Sequence, residues 1–283
     1  EVCWEEIRAL YPEARLLALF AQERNWPAKW RGVRITASGL NRLPGVARYY
    51  RQLLPLFPSA LRRMASDADL TISISHCAIK NLPVTGRHLC YCLSPARYFY
   101  DLRDEYMRSL PVPLRPLANR MLDRLAAWDR AGAANVTEFI AISRTVAGRI
   151  ERWYGRPAAV IYPPVDTDYF TPSGAAPGDY YLAASALVPY KRLDLAIAAC
   201  RQLGRKLVVI GDGPCASAWL HDLPAGITWR RQVPREELRE YYRNCRALIF
   251  PACEDFGIIP VEVMRNDKKL TIQVTIQEYP ATN

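Results

Sequence analysis

FIAISRTVAGRIERWYGRPAAVIY, residues 139–162, contains a strand, a helix and a second strand in 24 residues. Phe139 to Ile142 is a short apolar run, and Ser143 is a good N-cap. Val146 to Tyr154 reads as a helix that Gly155 ends in its C′ position, and Ala158 to Tyr162 is the next strand. A helix between two strands is the unit of a parallel α/β sheet, whose loops at the strand C-termini form the ligand crevice.

The same alternation continues on the C-terminal side. Tyr180 to Ala184 reads as a strand, Pro189 to Arg192 as a loop, Leu193 to Leu203 as a helix and Lys206 to Ile210 as a strand. Gly211 to Pro214 is a turn. A short helix, the strand Ile227 to Trp229, the helix Arg235 to Asn244, the strand Ala247 to Phe250 and a loop opening a helix at Pro260 complete it. Asn266 to Asn283 breaks this rhythm with a polar alternation at Leu270, Ile272, Val274 and Ile276.

On the N-terminal side, Asp69 to Ser75 and Arg87 to Cys92 are bounded β-branched or aromatic runs, as buried strands are. Arg115 to Ala134 has Leu117, Met121, Leu125 and Trp128 at helical spacing. The first ten residues read as a helix and Ala14 to Phe20 as a strand, so the domain reads as though its first strand were missing. Ile35 to Arg63, rich in Arg, Tyr and Leu and interrupted by Pro44, Pro55 and Pro58, suits an amphipathic surface segment. Pro172 to Gly178 is the best linker. The expected organisation is therefore two Rossmann-like domains, 1–173 and 174–283.

The composition agrees: 283 residues, 50% apolar and 23% charged, with 22 Pro and 14 Gly, exclude collagen-like, low-complexity and disordered chains. No apolar run reaches the ~18 residues that span a bilayer, and Glu1, Val2 and Cys3 begin no signal peptide. A cytoplasmic location is expected. The net charge is +10, with +8 up to Ser173 and +2 after it. Such a surface attracts nucleic acid, anionic lipid or phosphorylated ligands. Dispersed cations without a recognisable module argue against nucleic acid. The eight cysteines include no Cys-x-x-Cys pair. His76, Cys77, His88, Cys90 and Cys92 are imaginable as ligands, but buried reduced thiols fit better than a metal site.

Three motifs carry chemistry. Gly211-x-Gly213-x-x-Ala216 matches the dinucleotide fingerprint but follows the second strand of its domain, and Arg230 and Arg231 stand where an acid would be needed. A tight turn explains it equally well. Pro189-Tyr190-Lys191-Arg192 opens a helix with two adjacent cations, which an anionic ligand would explain and a solvated charge pair also would. Glu254 and Glu262 flank Asp255-Phe256-Gly257-Ile258-Ile259-Pro260, one on a strand-end loop and one in a first helical turn. Both would line the crevice, where carboxylates accept hydrogen bonds from sugar or ribose hydroxyls.

Together, in this order, these motifs resemble the donor-nucleotide domain of family-four retaining glycosyltransferases, which have the GT-B architecture of two Rossmann-like domains facing across a cleft. The first part is similar to the polysaccharide mannosyltransferase-like branch of that family at Ser73 to His76, His88 to Cys92, Pro95 to Tyr98, Trp128-Asp129, and Ile140 to Ser143 through Val165-Asp166. The likeness covers about residues 1–264. It implies that Lys191 with Arg192 neutralises the donor diphosphate, and that Glu262 holds the ribose. Glu254 with the amides around Phe256, Gly257 and Ile258 would hold the transferred sugar, and Gly211, Asp212, Gly213 and Pro214 would border the nucleotide. It also implies transfer with retention, without metal or other cofactor, from GDP-mannose or another nucleotide sugar to a lipid-linked or polysaccharide acceptor at the inner face of a membrane. His76, Lys80, Tyr91, Arg97 and Tyr98 would face the acceptor. Ala186, Arg231 and Leu93 replace the Arg, Gly and His usual in relatives, and neither the opening Gly-rich loop nor the closing Gly-x-Pro-Val strand and Gly-Gly loop is found. An inactive, truncated relative that binds only nucleotide is the alternative, followed by an NAD(P)-dependent oxidoreductase built on Gly211 to Ala216.

Overall fold

The computed structural model describes residues 2–22, 30, 32–108, 110–172, 174, 176–252 and 255–256. The chain divides into two compact units, Glu1–Pro164 and Val165–Asn283.

In the first unit α1 (Val2–Leu10) leads to β1 (Leu16–Ala18), which pairs in parallel with β2 (Ile35–Ala37), Leu16 opposite Ile35. Two short helices follow, α2 (Val46–Tyr49) and α3 (Phe57–Arg62), joined by a 3₁₀ stretch over Tyr50–Leu56. The next elements are β3 (Leu70–Ser75), β4 (Arg87–Cys92), α4 (Arg103–Arg108), α5 (Arg115–Gly132), β5 (Glu138–Ala141), α6 (Arg144–Tyr154) and β6 (Ala158–Val160). Among the described residues β3, β4, β5 and β6 form one parallel sheet in chain order. Leu17 in β1 and Phe20 just after it pack on the cluster of Phe57, Leu61, Phe99 and Leu125.

The opening stretch folds as its residues dictate. Ser143 Oγ accepts the Val146 N–H at 3.1 Å, and Gly155 ends α6 with φ 64°. One expectation needs correction. Ile35 to Arg63 is not a uniform amphipathic surface segment, because Ile35–Ala37 is a strand and Val46, Phe57 and Leu61 are buried at 1%, 8% and 1% exposure. Its arginines are exposed.

In the second unit β7 (Tyr181–Ala184), α7 (Leu193–Gln202), β8 (Leu207–Ile210), α8 (Ala216–Leu220), β9 (Ile227–Arg230), α9 (Arg235–Asn244) and β10 (Ala247–Leu248) alternate. Among the described residues the parallel sheet has the order β10-β7-β8-β9. The chain therefore winds outward from β7 through β8 to β9 and then returns to the other side of β7. Between β7 and β10 the winding reverses, which makes that edge the topological switch point. Leu182, Ala183, Leu187, Leu207 and Val209 are fully buried around this sheet.

The boundary lies at Pro164/Val165, before the proline- and glycine-rich stretch at 172–178. The intervening strap is fastened to α9. Arg235 pairs with Asp166, Arg243 Nε donates to the Thr171 carbonyl at 2.8 Å, and the Phe170 ring lies 5.7 Å from that of Tyr242. No helix among the described residues is long and apolar enough to cross a membrane.

Candidate functional site

The loops leaving the C-terminal ends of β7 and β8 are joined by backbone hydrogen bonds. Leu187 N donates to the Asp212 carbonyl at 2.9 Å, and Cys215 N donates to the Leu187 carbonyl at 3.0 Å. This approach leaves no room for a side chain at Gly211 or Gly213. A Cβ on Gly211 would stand 1.9 Å from the Ser185 carbonyl oxygen, and one on Gly213 would stand 2.3 Å from that of Leu187. Gly211 also has φ 143°. The two glycines are thus accounted for by loop-to-loop packing, so the partial match to a dinucleotide fingerprint needs no pyrophosphate.

Asp212 caps this turn, accepting the Gly213 N–H at 2.9 Å and the Arg231 Nε at 2.8 Å. The Arg231 hydrogen bond, followed by that of Gly213, holds the Asp212 carboxyl below its ordinary range. Trp229 Nε1 donates to the Gly211 carbonyl at 2.8 Å and braces the turn from β9. Pro214 is exposed beside it.

On the switch-point side, Pro189–Lys191 forms one 3₁₀ turn and Arg192 leads into α7 with φ 51°. Among the described residues Arg192 alone has a positive φ without being glycine. Its Nε lies 3.2 Å from Asp194 Oδ1. Asp194 in the first helical turn therefore offsets one of the two adjacent cations, and an anionic ligand is not needed to explain Arg192. The Lys191 ammonium sits 5.5 Å from the centroid of the Tyr190 ring. Across the switch point, β10 continues through Ile249, whose N–H donates to the Leu182 carbonyl at 2.8 Å, toward the half-buried Asp255 and Phe256. Glu254, Gly257, Ile258 and Glu262 lie outside the described residues.

In the first unit the residues expected on the acceptor side separate into two groups. His76, at the C-terminal end of β3, is exposed, and Arg97 and Tyr98 are half-buried, with the Tyr98 hydroxyl against the Cys77 sulfur. Tyr91 is buried and its hydroxyl donates to the Ile161 carbonyl at 3.0 Å. Lys80 requires correction: at 1% exposure it is a core residue. Its Nζ lies 2.9 Å from Asp129 Oδ1 and donates to Asn81 Oδ1 at 2.8 Å. Asp129 Oδ2 in turn accepts the hydroxyls of Tyr100 at 2.9 Å and Tyr154 at 2.8 Å. Every strong donor of Lys80 is committed to the protein, so it presents nothing to a ligand. Asp129, Tyr100 and Tyr154 were not singled out from the sequence as partners. The signal was Asp129 itself, four residues after Leu125 on the apolar stripe of α5.

Cys77, Cys90 and Cys92 are buried, and burial pushes the Cys77 thiol up to about 12. Among the described residues no group of three or more His, Cys, Asp or Glu is placed to hold a metal ion.

The two units define a parallel-sheet α/β protein whose second unit has its switch point between β7 and β10, the usual position for a phosphorylated ligand in such sheets. Residues 171–270 match the family described as glycosyl transferases group 1. The fold is that of GT-B glycosyltransferases: sucrose-phosphate synthase from Thermosynechococcus elongatus superposes with a TM-score of 0.58 at 16% identity, over 81% of this chain and 63% of that one. The trehalose 6-phosphate synthase of Burkholderia multivorans is similar at TM-score 0.44 and 12% identity, over 76% of this chain and 59% of that one. A 74-residue stretch, 25% of this chain, is 81% identical to the serine endoprotease DegS of Escherichia coli K12 and covers 19% of it. The chain thus spans about a fifth of the length of the curated relatives it matches. Ser73 and His88 do pair, Oγ to Nε2 at 2.8 Å, but His88 is fully buried and its Nδ1 faces the Asn135 carbonyl, not a carboxylate. That pair can reach no substrate and has no acid to orient it.

Proposed function

We propose that this protein is a retaining glycosyltransferase that moves a sugar, with mannose as the expected one, from a nucleotide-diphosphate sugar to a lipid-linked or polysaccharide acceptor at the inner face of a membrane. The observation that carries this reading is the switch point of the second sheet. Lys191 and Arg192 follow β7, and Asp255 and Phe256 follow β10, the two strands that flank that switch point. The family match over the same residues agrees.

In the proposed reaction the bond between the anomeric carbon and the diphosphate oxygen breaks while the acceptor hydroxyl bonds to that carbon from the same face. The hydroxyl proton passes to the departing phosphate. The cations of Lys191 and Arg192 neutralise the charge that grows on the diphosphate, Glu262 holds the ribose, and Glu254 with the Phe256, Gly257 and Ile258 amides orients the sugar. Gly211, Asp212, Gly213 and Pro214 border the nucleotide. Catalysis is then positioning plus electrostatic stabilisation. On the acceptor side, His76, Arg97 and Tyr98 are the groups that exposure leaves available.

Calorimetry with GDP, UDP, ADP and NAD on the wild type, Lys191→Ala and Glu262→Ala tests the site. Nucleoside-diphosphate binding weakened about tenfold or more in both variants is expected for lost charge-assisted contacts. Tight NAD binding indifferent to both would sink the proposal. Release of nucleoside diphosphate from a labelled sugar nucleotide then separates transfer from binding alone.

A further inference from the structure

One stretch of the first unit holds cations without acids. Between Gly32 and Ser66 the chain has six arginines, at 34, 42, 48, 51, 62 and 63, and no carboxylate. All six are exposed. Large apolar side chains stand exposed among them, Leu43 at 38%, Tyr50 at 39% and Leu56 at 47%. The same stretch buries Val46, Phe57 and Leu61 on its other side, so the exposed set is not a misplaced core. Next to it opens a cleft of about 700 Å³, lying wholly within this unit. Leu17, Leu40, Leu43, Leu56, Ser59 and Arg63 are among the residues that line it. Its volume suits one small ligand or one lipid chain. Arg15 at the rim is already paired with Asp67, so its charge does not add to the patch.

We infer that the first unit docks on an anionic phospholipid surface through the Arg42–Arg63 face, with the adjoining cleft receiving part of one lipid. Charge complementarity selects the partner: a stretch with six arginines and no acid in its sequence favours an anionic layer, each arginine contributing near the surface. The apolar side chains decide between lipid and nucleic acid. A phosphate backbone would leave Leu43, Leu56 and the leucine-lined cleft in water, whereas an interface of headgroups and acyl chains buries them while the guanidinium groups remain at headgroup level. This deepens the membrane side of the preceding proposal, and its test involves no sugar transfer, so the two can fail separately.

The test is co-sedimentation of the full chain with phosphatidylcholine vesicles, with and without phosphatidylglycerol, at two salt concentrations. Two exposed-residue variants accompany it, R42Q/R48Q/R62Q/R63Q and L43S/L56S, with circular dichroism checking that each is folded. Binding only to the anionic vesicles, weakened by salt and by about a hundredfold or more in the arginine variant, is expected. The leucine variant should lose about tenfold or more at either salt concentration. Absence of binding to the anionic vesicles overturns the inference, as does equal binding to both vesicle types. Binding unchanged in both folded variants also overturns it, and so does tighter binding to duplex DNA that L43S/L56S leaves intact.

Discussion

Lys80 and Asp129 stand 49 residues apart in the chain and meet inside the first unit with Nζ and Oδ1 2.9 Å apart, at 1% and 0% exposure. The pair ties the turn after β3 to α5 and, through the Tyr154 hydroxyl, to α6. A buried ion pair repays the loss of hydration only when both partners remain. Lys80→Met or Asp129→Asn should therefore cost about 3–5 kcal/mol in urea unfolding. The double variant Lys80→Met/Asp129→Asn should recover part of that loss, because it leaves no unpaired charge and the amide oxygen still accepts from the tyrosine hydroxyls. If each single change costs under about 1 kcal/mol, the network is not the clasp described.

Gly213 and Gly148 make opposite predictions from the same substitution. A methyl on Gly213 would meet the Leu187 carbonyl oxygen at 2.3 Å, which is backbone and cannot swing aside. Gly213→Ala should destabilise the second unit and weaken nucleoside-diphosphate binding, since the two strand-end loops must part. Gly148 lies inside α6 with nothing within 4 Å of its would-be Cβ. Gly148→Ala should stabilise by about 0.5–1 kcal/mol through helix propensity. Thermal melts of the two variants, side by side, check both signs.

Burial, with Lys80 nearby, holds the His88 imidazole below its ordinary pKa despite the Asn135 carbonyl, so the native state keeps it neutral. The unfolded chain takes up that proton near pH 6.5. Between that pH and the lower native value the unfolded state binds more protons, so stability rises with pH and is lost as pH falls below about 6.5. His88→Gln should flatten this part of the profile whatever its effect on absolute stability. Urea midpoints measured from about pH 7.5 to 5, with a slope unchanged in the variant, would assign the titration elsewhere.

What the sequence made legible follows from range. The strand Arg87–Cys92 and the helix Arg235–Asn244 have the bounds read from their residues, and Ser143 and Gly155 close α6 as expected. These depend on neighbours a few positions away. The resemblance implies an acceptor-facing Lys80, whereas the fold brings to it the carboxylate of Asp129, 49 residues downstream on α5. The strand Ile35–Ala37 is three residues long, too short for a period-two pattern to emerge from an arginine-rich context. Gly211 and Gly213 resembled half a nucleotide motif because the reason for them, the Ser185 and Leu187 carbonyls, belongs to a different loop. The proposed donor residues divide the same way: the cations of the β7 loop could be placed at a strand end from local pattern, but the Asp194 partner of Arg192 changes what that charge is available to do.

Arg192 distinguishes a charge kept for a ligand from one kept for the fold. Its left-handed backbone, φ 51°, disfavours any residue with a Cβ by about 1–2 kcal/mol. The exposed pair with Asp194 returns at most about 1 kcal/mol. Glycine would adopt this backbone without strain, although its looser unfolded state offsets about 0.5–1 kcal/mol of the gain. Arg192→Gly is therefore expected to leave stability within about 1 kcal/mol of the wild type. If the guanidinium serves the donor diphosphate, the same variant should lose about tenfold or more in nucleoside-diphosphate affinity. Asp194→Asn should move affinity the other way, because it releases Arg192 from its carboxylate and removes a negative charge from the crevice. Calorimetry on both variants settles the sign. A loss of stability with unchanged affinity in Arg192→Gly, or weaker binding in Asp194→Asn, would make the Arg192–Asp194 pair a part of the helix start and not of the donor site.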